Sequence, residues 1–134
     1  MRAVDTSVVI AAFASWHERH ESARDVIASR PALPWPAALE VYAVLTRLPS
    51  PHRASATVVR DFLAAAFESP YLTIQTARLG DVIPDLVARG VSGGASYDAV
   101  IAVTAREAGA TLVTCDRRAR DTYERLGVAT EFLG

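Results

Sequence analysis

The sequence contains no lysine, and all 14 of its basic residues are arginine. This absence excludes chemistry that needs a lysine amine: P-loop nucleotide binding, Schiff-base formation and phosphoryl transfer of the receiver or haloacid-dehalogenase type. Cysteine is nearly absent as well, since Cys115 is the only one, and there are three histidines. An internal disulfide is impossible, and a four-ligand zinc site of Cys and His is not expected. This cysteine usage predicts a cytoplasmic protein in a reducing compartment.

Long apolar runs are also missing. The longest, Val8 to Ala14, is far shorter than the ~18 residues that suggest a membrane span, so no membrane association is expected. The 134 residues are 51% hydrophobic and 22% charged, which is typical of a globular protein. Chain length and the lack of a linker predict a single domain over residues 1–134.

The sequence also lacks an excess of positive charge. The formal net charge is −1, whereas nucleic-acid-binding proteins usually carry a basic face. The low net charge does not exclude nucleic-acid binding if four of the 15 acids bind a metal ion. The remaining 11 acids are then outnumbered by the 14 arginines. Arginine is also the better phosphate ligand, owing to its planar fork of donors.

Short apolar segments alternate with helical patterns along the chain, which predicts an α/β fold with a mainly parallel sheet flanked by helices. The predicted strands are 2–4, 71–74, 111–114 and 129–133. The predicted helices cover 8–13, 17–29, 36–47, a segment around 59–67, 77–89, 97–108 and 116–126.

Local patterns refine these helices. Ser96 is expected to cap one helix and Gly109 to end it. Pro84 must either kink its helix or lie in the first turn. The clearest amphipathic face comprises Val59, Phe62, Leu63, Ala66 and Phe67. The apolar side of helix 36–47 is predicted to comprise Leu39, Tyr42, Ala43 and Leu45.

Four acids are placed where a parallel sheet gathers its functional groups, beyond the carboxyl ends of the strands. Asp5 follows the first strand, and Asp116 follows the strand at 111–114. Asp98 lies in the first turn of a helix, and Glu40 lies one turn into another. We expect these carboxylates to converge if both helices start at the same edge.

Such a cluster is unstable without a cation. Two carboxylates about 5 Å apart repel by roughly 3 kcal/mol at an effective dielectric constant near 20. Ligands that are all oxygen favour Mg²⁺ or Mn²⁺ over zinc, and such an ion activates water for phosphodiester hydrolysis. The alternatives remain open: Asp116 as a helix cap, Asp98 as a first-turn acid and Glu40 as a solvated helix residue.

Other residues have two interpretations each. Arg117, Arg118 and Arg120 either contact RNA phosphates or form a solvated face. The segment 17–20 contains two histidines but lacks the spacing of an H-E-x-x-H zinc motif, so a solvated first turn is expected. The aromatic side chains of Trp16, Trp35 and Phe67 offer faces for base stacking, although core packing is the commoner use.

Four segments in series resemble the PIN-domain ribonucleases of the VapC toxin type. They are Asp5-Thr6-Ser7 with the apolar residues after it, the helix at 40–47, the stretch at 97–102 and the segment at 112–119. The resemblance spans nearly the whole chain. It implies a PIN-like three-layer α/β/α fold with a central, mainly parallel sheet and a Mg²⁺ or Mn²⁺ site.

The same resemblance implies specific roles. The acidic quartet of the family corresponds to Asp5, Glu40, Asp98 and Asp116, which would serve as metal ligands and catalytic residues. Thr6 and Ser7 match hydroxyl positions that support the metal ligands. Members of the family cut RNA, are inhibited by a VapB-type antitoxin and commonly form homodimers.

The sequence therefore favours a Mg²⁺- or Mn²⁺-dependent endoribonuclease, the toxin of a type II toxin–antitoxin system, that hydrolyses RNA with a metal-activated water. The alternative is a catalytically silent PIN-fold module that binds a protein partner. A phosphohydrolase of the dehalogenase type is disfavoured, because Ser7 stands where its D-x-D motif needs a second acid.

Overall fold

Three short parallel strands form the centre of the protein. The computed structural model describes all residues from 1 to 134. The strands are β1 (Arg2–Val4), β2 (Thr111–Thr114) and β3 (Thr130–Phe132), with β2 in the middle. Both pairings are parallel, as the alternation of strands and helices predicts.

Seven α-helices surround the sheet. They are α1 (Thr6–Phe13), α2 (His20–Ala28), α3 (Trp35–Arg47), α4 (Ala56–Ala66), α5 (Val82–Ala88), α6 (Ala95–Glu107) and α7 (Arg120–Leu126). Two 3₁₀ helices, Thr76–Asp81 and Arg117–Ala119, precede α5 and α7. The longest helices, α3 and α6, have 13 residues, and none combines the length and apolar character of a membrane span.

Both faces of the sheet are covered. Leu112 and Val113 are neighbours in β2, so their side chains point to opposite faces, and both are fully buried. They belong to one core cluster of 30 buried residues that draws on strands and helices alike. The α/β/α layering that the resemblance implies is therefore present.

The sheet extends beyond β1 through isolated bridges. Ala32 pairs with Ala3 of β1, and Pro34 pairs with Leu72, both in parallel orientation. The predicted strand at 71–74 is wrong in extent, because only Leu72 is bridged. This segment lies at the outer edge of the sheet, where only one neighbour offers backbone hydrogen bonds.

The amphipathic pattern of α4 is confirmed. Val59, Leu63 and Phe67 are buried, while Phe62 and Ala66 pack partly against the core.

The expected end of α6 is confirmed, since Gly109 follows it with φ of +70°, a conformation that glycine adopts without strain. The start of α6 differs from the prediction. Gly94 is its N-cap, and Ser96 lies within the first turn without capping it.

The predicted apolar side of α3 is wrong for two of its four residues, Leu39 and Tyr42, and is confirmed for Leu45. Its buried residues are Ala37, Ala38, Val41 and Leu45, whereas Leu39 and Tyr42 are 53% and 40% exposed. The small alanines let α3 approach α1 and α6 closely, which turns the larger side chains outward.

Two other helical segments are shorter than predicted. The segment predicted as helix 17–29 begins its helix only at His20, because Arg19 donates its backbone N–H to His17 Nδ1 (3.0 Å). The segment at 77–89 is a 3₁₀ helix followed by α5, and Pro84 lies in the first turn of α5. That position needs no N–H donor, so the proline is accommodated without a kink.

Candidate active site

Asp5 is the most constrained acid of the protein. It follows β1, and its backbone N–H donates to Val113 O of β2 (3.1 Å). Its side chain is 2% exposed. Oδ1 accepts hydrogen bonds from Ser7 Oγ (2.5 Å) and from the backbone N–H of Val8 (3.3 Å), while Oδ2 accepts one from the Tyr123 hydroxyl (2.7 Å). The carboxyl group is therefore fixed at both oxygens.

Burial and these hydrogen-bond donors shift the pKa of Asp5 in opposite directions. Burial is the larger effect and raises the pKa of Asp5, while the hydrogen bonds from Ser7, Thr114, Tyr123 and Val8 lower it. The pKa of Tyr123 is raised too, first by burial and then by the charge of Asp5, so this phenol stays protonated and remains a donor.

Hydroxyl groups connect the ends of β1 and β2. Ser7 Oγ accepts the backbone N–H of Cys115 (2.8 Å) and lies 3.3 Å from Thr114 Oγ1. Thr114 Oγ1 in turn accepts the backbone N–H of Asp116 (2.9 Å). The two strands present Asp5 and Asp116 from the same edge because these contacts hold their ends together.

Asp116 also caps the turn that follows it. Its Oδ1 accepts the backbone N–H of Arg118 (2.9 Å) at the start of the 3₁₀ helix. The capping interpretation is therefore correct as a local description. It leaves Oδ2 without a protein partner, so capping and ion binding are compatible at this residue.

Asp98 shows that the four acids are electrostatic neighbours. It is half-buried in the first turn of α6. Burial, and then the charges of Glu40, Asp116 and Asp5 in that order, raise the pKa of Asp98 to about 6, against a smaller opposing effect of Arg118. The four acids are therefore near enough for their charges to act on Asp98, as the positions of strand ends and helix starts lead one to expect. No three acidic, His or Cys side chains are close enough together to hold a metal ion as they stand, and both oxygens of Asp5 accept hydrogen bonds from protein donors.

The donor set nevertheless fits a hard divalent cation. Every candidate ligand is a carboxylate, and one of them has a pKa raised by its acidic neighbours. The buried hydroxyl of Thr6 has no hydrogen-bond partner, although it sits beside Asp5 in the chain. Unneutralised negative charge among oxygen ligands favours Mg²⁺ or Mn²⁺.

The three arginines after β2 point to different places. Arg117 and Arg118 line an open cavity together with Ser7 and Asp116. Arg118 is 94% exposed and its Nε lies 3.5 Å from Asp116 Oδ1. The Arg120 guanidinium instead lies over the ring of Phe132, 4.6 Å from its centroid.

The aromatic residues considered for base stacking, and Cys115, differ in how exposed they are. Phe67 is part of the core, whereas Trp16 and Trp35 are about half exposed. Cys115 is half-buried, and burial raises the pKa of its thiol to about 11, which makes it a poor nucleophile.

Sequence reasoning missed Tyr123, which is 118 positions from Asp5 and carries no local signal. A buried tyrosine needs a hydrogen-bond partner, but only the fold identifies that partner.

The parallel sheet with Asp5 and Asp116 at its carboxyl edge is consistent with one family in particular: the PIN domain family model matches residues 2–125, so the chain belongs to the PIN domain family. Within that family the chain belongs to the VapC group. It is 45% identical over 133 residues to ribonuclease VapC40 of Mycobacterium tuberculosis H37Rv, covering 99% of both chains. Ribonuclease VapC27 of the same strain is 40% identical over 128 residues, covering 94% of this chain and 92% of VapC27.

Solved structures share the fold at low sequence identity. FitAcB from Neisseria gonorrhoeae superposes with a TM-score of 0.69 and 19% identity, covering 97% of this chain and 96% of that one. VapBC2 from Rickettsia felis, bound to a DNA fragment from their promoter, gives a TM-score of 0.67 and 16% identity, covering 99% and 98%.

Proposed function

We propose that this protein is a divalent-metal-dependent endoribonuclease and the toxin of a type II toxin–antitoxin pair. The observation that carries the proposal is the environment of Asp98: burial is the main cause of its raised pKa, the charges of Glu40, Asp116 and Asp5 raise it further, and Arg118 opposes them only in part. The relatives at 40% and 45% identity are both ribonucleases by name, which supports RNA as the substrate.

Asp5, Glu40, Asp98 and Asp116 would hold Mg²⁺ or Mn²⁺ in this proposal. When bound, the ion would lower the pKa of a water molecule and stabilise the charge that develops on the leaving oxygen. Ser7 keeps Asp5 in place, and Thr6 offers an unpaired hydroxyl next to it.

Proton transfer falls to the same acids. A carboxylate oxygen that is not engaged elsewhere accepts the proton of the attacking water. Asp116 Oδ2 has no protein partner, which makes it a suitable acceptor. The hydroxyl of Tyr123 stays protonated and holds Asp5, so it does not take part in the transfer.

Arginines beside the acids would bind RNA phosphates. Arg117 and Arg118 are exposed at the edge of the carboxylate cluster, where each guanidinium can hold a phosphate with two hydrogen bonds. Arg120 packs on Phe132 and contributes positive charge at longer range.

The expected partners are a VapB-type antitoxin and a second copy of the chain. Support for the antitoxin comes from the VapBC2 complex and from FitAcB, which have the same fold. An RNA substrate is available in the cytoplasm, where we propose that the protein acts as a homodimer.

The test is cleavage of RNA by the purified toxin, freed of antitoxin, in Mg²⁺, in Mn²⁺ and in EDTA, followed by sequencing of the new RNA ends. We expect defined cleavage sites that depend on the metal and are absent with Asp98→Asn. Asp121→Asn is the matched control, because Asp121 is an exposed acid paired with Arg125. Cleavage that persists in EDTA would refute the metal dependence, whereas absent cleavage by the wild type would favour the silent module that binds a protein.

A further inference from the structure

An open cavity of about 510 Å³ adjoins the carboxylate cluster. Ser7 and Asp116 form its border with the cluster, so the two regions are continuous. One wall is the connection between α1 and α2, which carries His17 and Arg19, and the other is the turn after β2. The volume falls within the roughly 300–1,000 Å³ of small-ligand pockets and is sufficient for one nucleotide.

The cavity has positive charge without protein partners. Arg19 and Arg117 are paired with no acid, in contrast to Arg118. Arg19 is half-buried and lines the cavity together with Cys115 and Asp116, at the border with the carboxylate cluster. The lining also contains the acidic side chain of Glu18. Two guanidinium groups without an acidic partner, the half-buried Arg19 and the exposed Arg117, are suited to hold a phosphate beside the proposed nuclease site.

The wall at 17–19 also offers a specific donor. His17 Nδ1 accepts the backbone N–H of Arg19 (3.0 Å), so the neutral ring carries its proton on Nε2. The partly buried side chains of Ile10 and Leu133 provide an apolar surface in the same cavity. Beyond His17, the exposed ring of Trp16 lies 6.2 Å away between centroids. A cation, a hydrogen-bond donor and an aliphatic surface in the cavity, with an aromatic ring next to it, together match a nucleotide.

We propose that this cavity is a subsite for the RNA nucleotide that flanks the scissile phosphate. Arg19 and Arg117 hold its phosphate, His17 donates to it, and its base lies against Ile10 and Leu133. The inference rests on the ribonuclease function proposed above and adds the segment 17–19 to the substrate-binding surface.

Binding measured without metal tests the subsite apart from catalysis. The probe is a fluorescein-labelled, single-stranded RNA of 12 nucleotides and mixed sequence, titrated in EDTA over a range of salt concentrations. We expect Arg19→Gln to weaken binding about tenfold and Arg19→Glu more strongly, because a charged hydrogen bond to phosphate is lost. The salt dependence should become shallower by about 0.7 in logarithmic slope, the value for one phosphate contact on a single strand.

Arg24→Gln and Arg24→Glu are the matched controls. Arg24 is an exposed arginine of α2 that does not line the cavity, so its loss removes the same charge from the same region. Circular dichroism checks that each variant is folded. Ultraviolet cross-linking of RNA with 4-thiouridine adds an independent readout, with adducts expected within 10–19 or 115–118.

The outcomes separate the subsite from the proposed function. Equal RNA binding by the Arg19 and Arg24 variants, or cross-links only outside 10–19 and 115–118, overturns the subsite even if the wild type cleaves RNA. RNA binding that depends on Arg19 in a protein that cleaves nothing supports the cavity as an RNA site and refutes the ribonuclease. Arg19-dependent binding of decaglutamate but not of RNA assigns the cavity to an acidic peptide and also overturns the proposal.

Discussion

Two acidic regions of this molecule differ in how their charge is balanced. On the surface formed by α5 and α6, Asp85 accepts hydrogen bonds from Arg89 (2.7 Å) and Arg106 (3.1 Å). The hydrogen bond from Arg89 is the main effect, and with Arg106 it lowers the pKa of Asp85.

At the carboxyl edge of the sheet, acidic side chains lie near other acidic side chains more than near arginines. There, burial and three other acids raise the pKa of Asp98 to about 6. The comparison shows that acidity alone does not identify a metal site. A carboxylate with its own guanidinium partners cross-links two helices, whereas carboxylates that face one another repel and are stabilised by an added cation.

The largest expected difference between the two regions is in activity. Asp5→Asn should lower RNA cleavage by more than the roughly 10- to 100-fold that loss of an outer-shell partner costs, because in the proposed function Asp5 is itself a metal ligand. Asp85→Asn should cleave at the wild-type rate. Initial rates in saturating Mn²⁺ measure both, and equal losses in the two variants would refute the assignment.

Tyr123→Phe should have the next largest effect. It removes only the hydroxyl that holds Asp5 Oδ2. We expect Mn²⁺ affinity, measured by calorimetry, to fall about 10- to 100-fold, as it does when a second-shell partner of a metal ligand is lost. Tyr71→Phe is the control, since that partly buried ring stacks on Trp35 away from the acids. Unchanged affinity would show that Ser7 and Val8 alone fix Asp5.

On the surface formed by α5 and α6, where Asp85 is paired with arginines, substitution should affect stability and not activity. Asp85→Ala should lower the free energy of unfolding by about 1–2 kcal/mol, because the partly buried Arg106 and the exposed Arg89 both lose their partner. Asp81→Ala, which removes an exposed pair with Arg78, should change it by less than about 0.5 kcal/mol. Urea denaturation at pH 7 compares the two. Similar values would mean that Arg89 and Arg106 find other partners.

The last expected effect is on stability and is present only at high pH. In the metal-free protein the raised pKa of Asp98 opposes folding above pH 6, and this cost disappears below about pH 4, where the unfolded chain is protonated too. Asp98→Asn should therefore be about 1–2 kcal/mol more stable than the wild type at pH 8, allowing for solvent screening, and equal to it at pH 4.

For Asp85 the sign is reversed. Its lowered pKa stabilises the fold above about pH 4, and that contribution is lost as the pH falls further. Thermal melts of both variants between pH 3 and 8 in EDTA check the two directions. A stabilising effect of Asp98→Asn that persists at pH 4 would show that charge is not its cause.

The sequence predicted the frame of the site well. Asp5 after a short apolar strand and Asp116 after another placed two acids at one edge, because parallel strands end on the same side. The apolar face of α3 was harder to predict. Its pattern also contains the large residues Leu39 and Tyr42, and only packing against α1 and α6 selects the alanines.

The order of residues along the chain determined the α/β class, the family resemblance and the four acids with their local helix positions, because these depend on short-range periodicity and capping. The tertiary structure decided which donors hold those acids. Tyr123 reaches Asp5 across 118 positions, and Arg19 joins the turn after β2 across the sheet edge. Such contacts depend on how helices pack in three dimensions, and local sequence patterns carry no record of distances between remote segments.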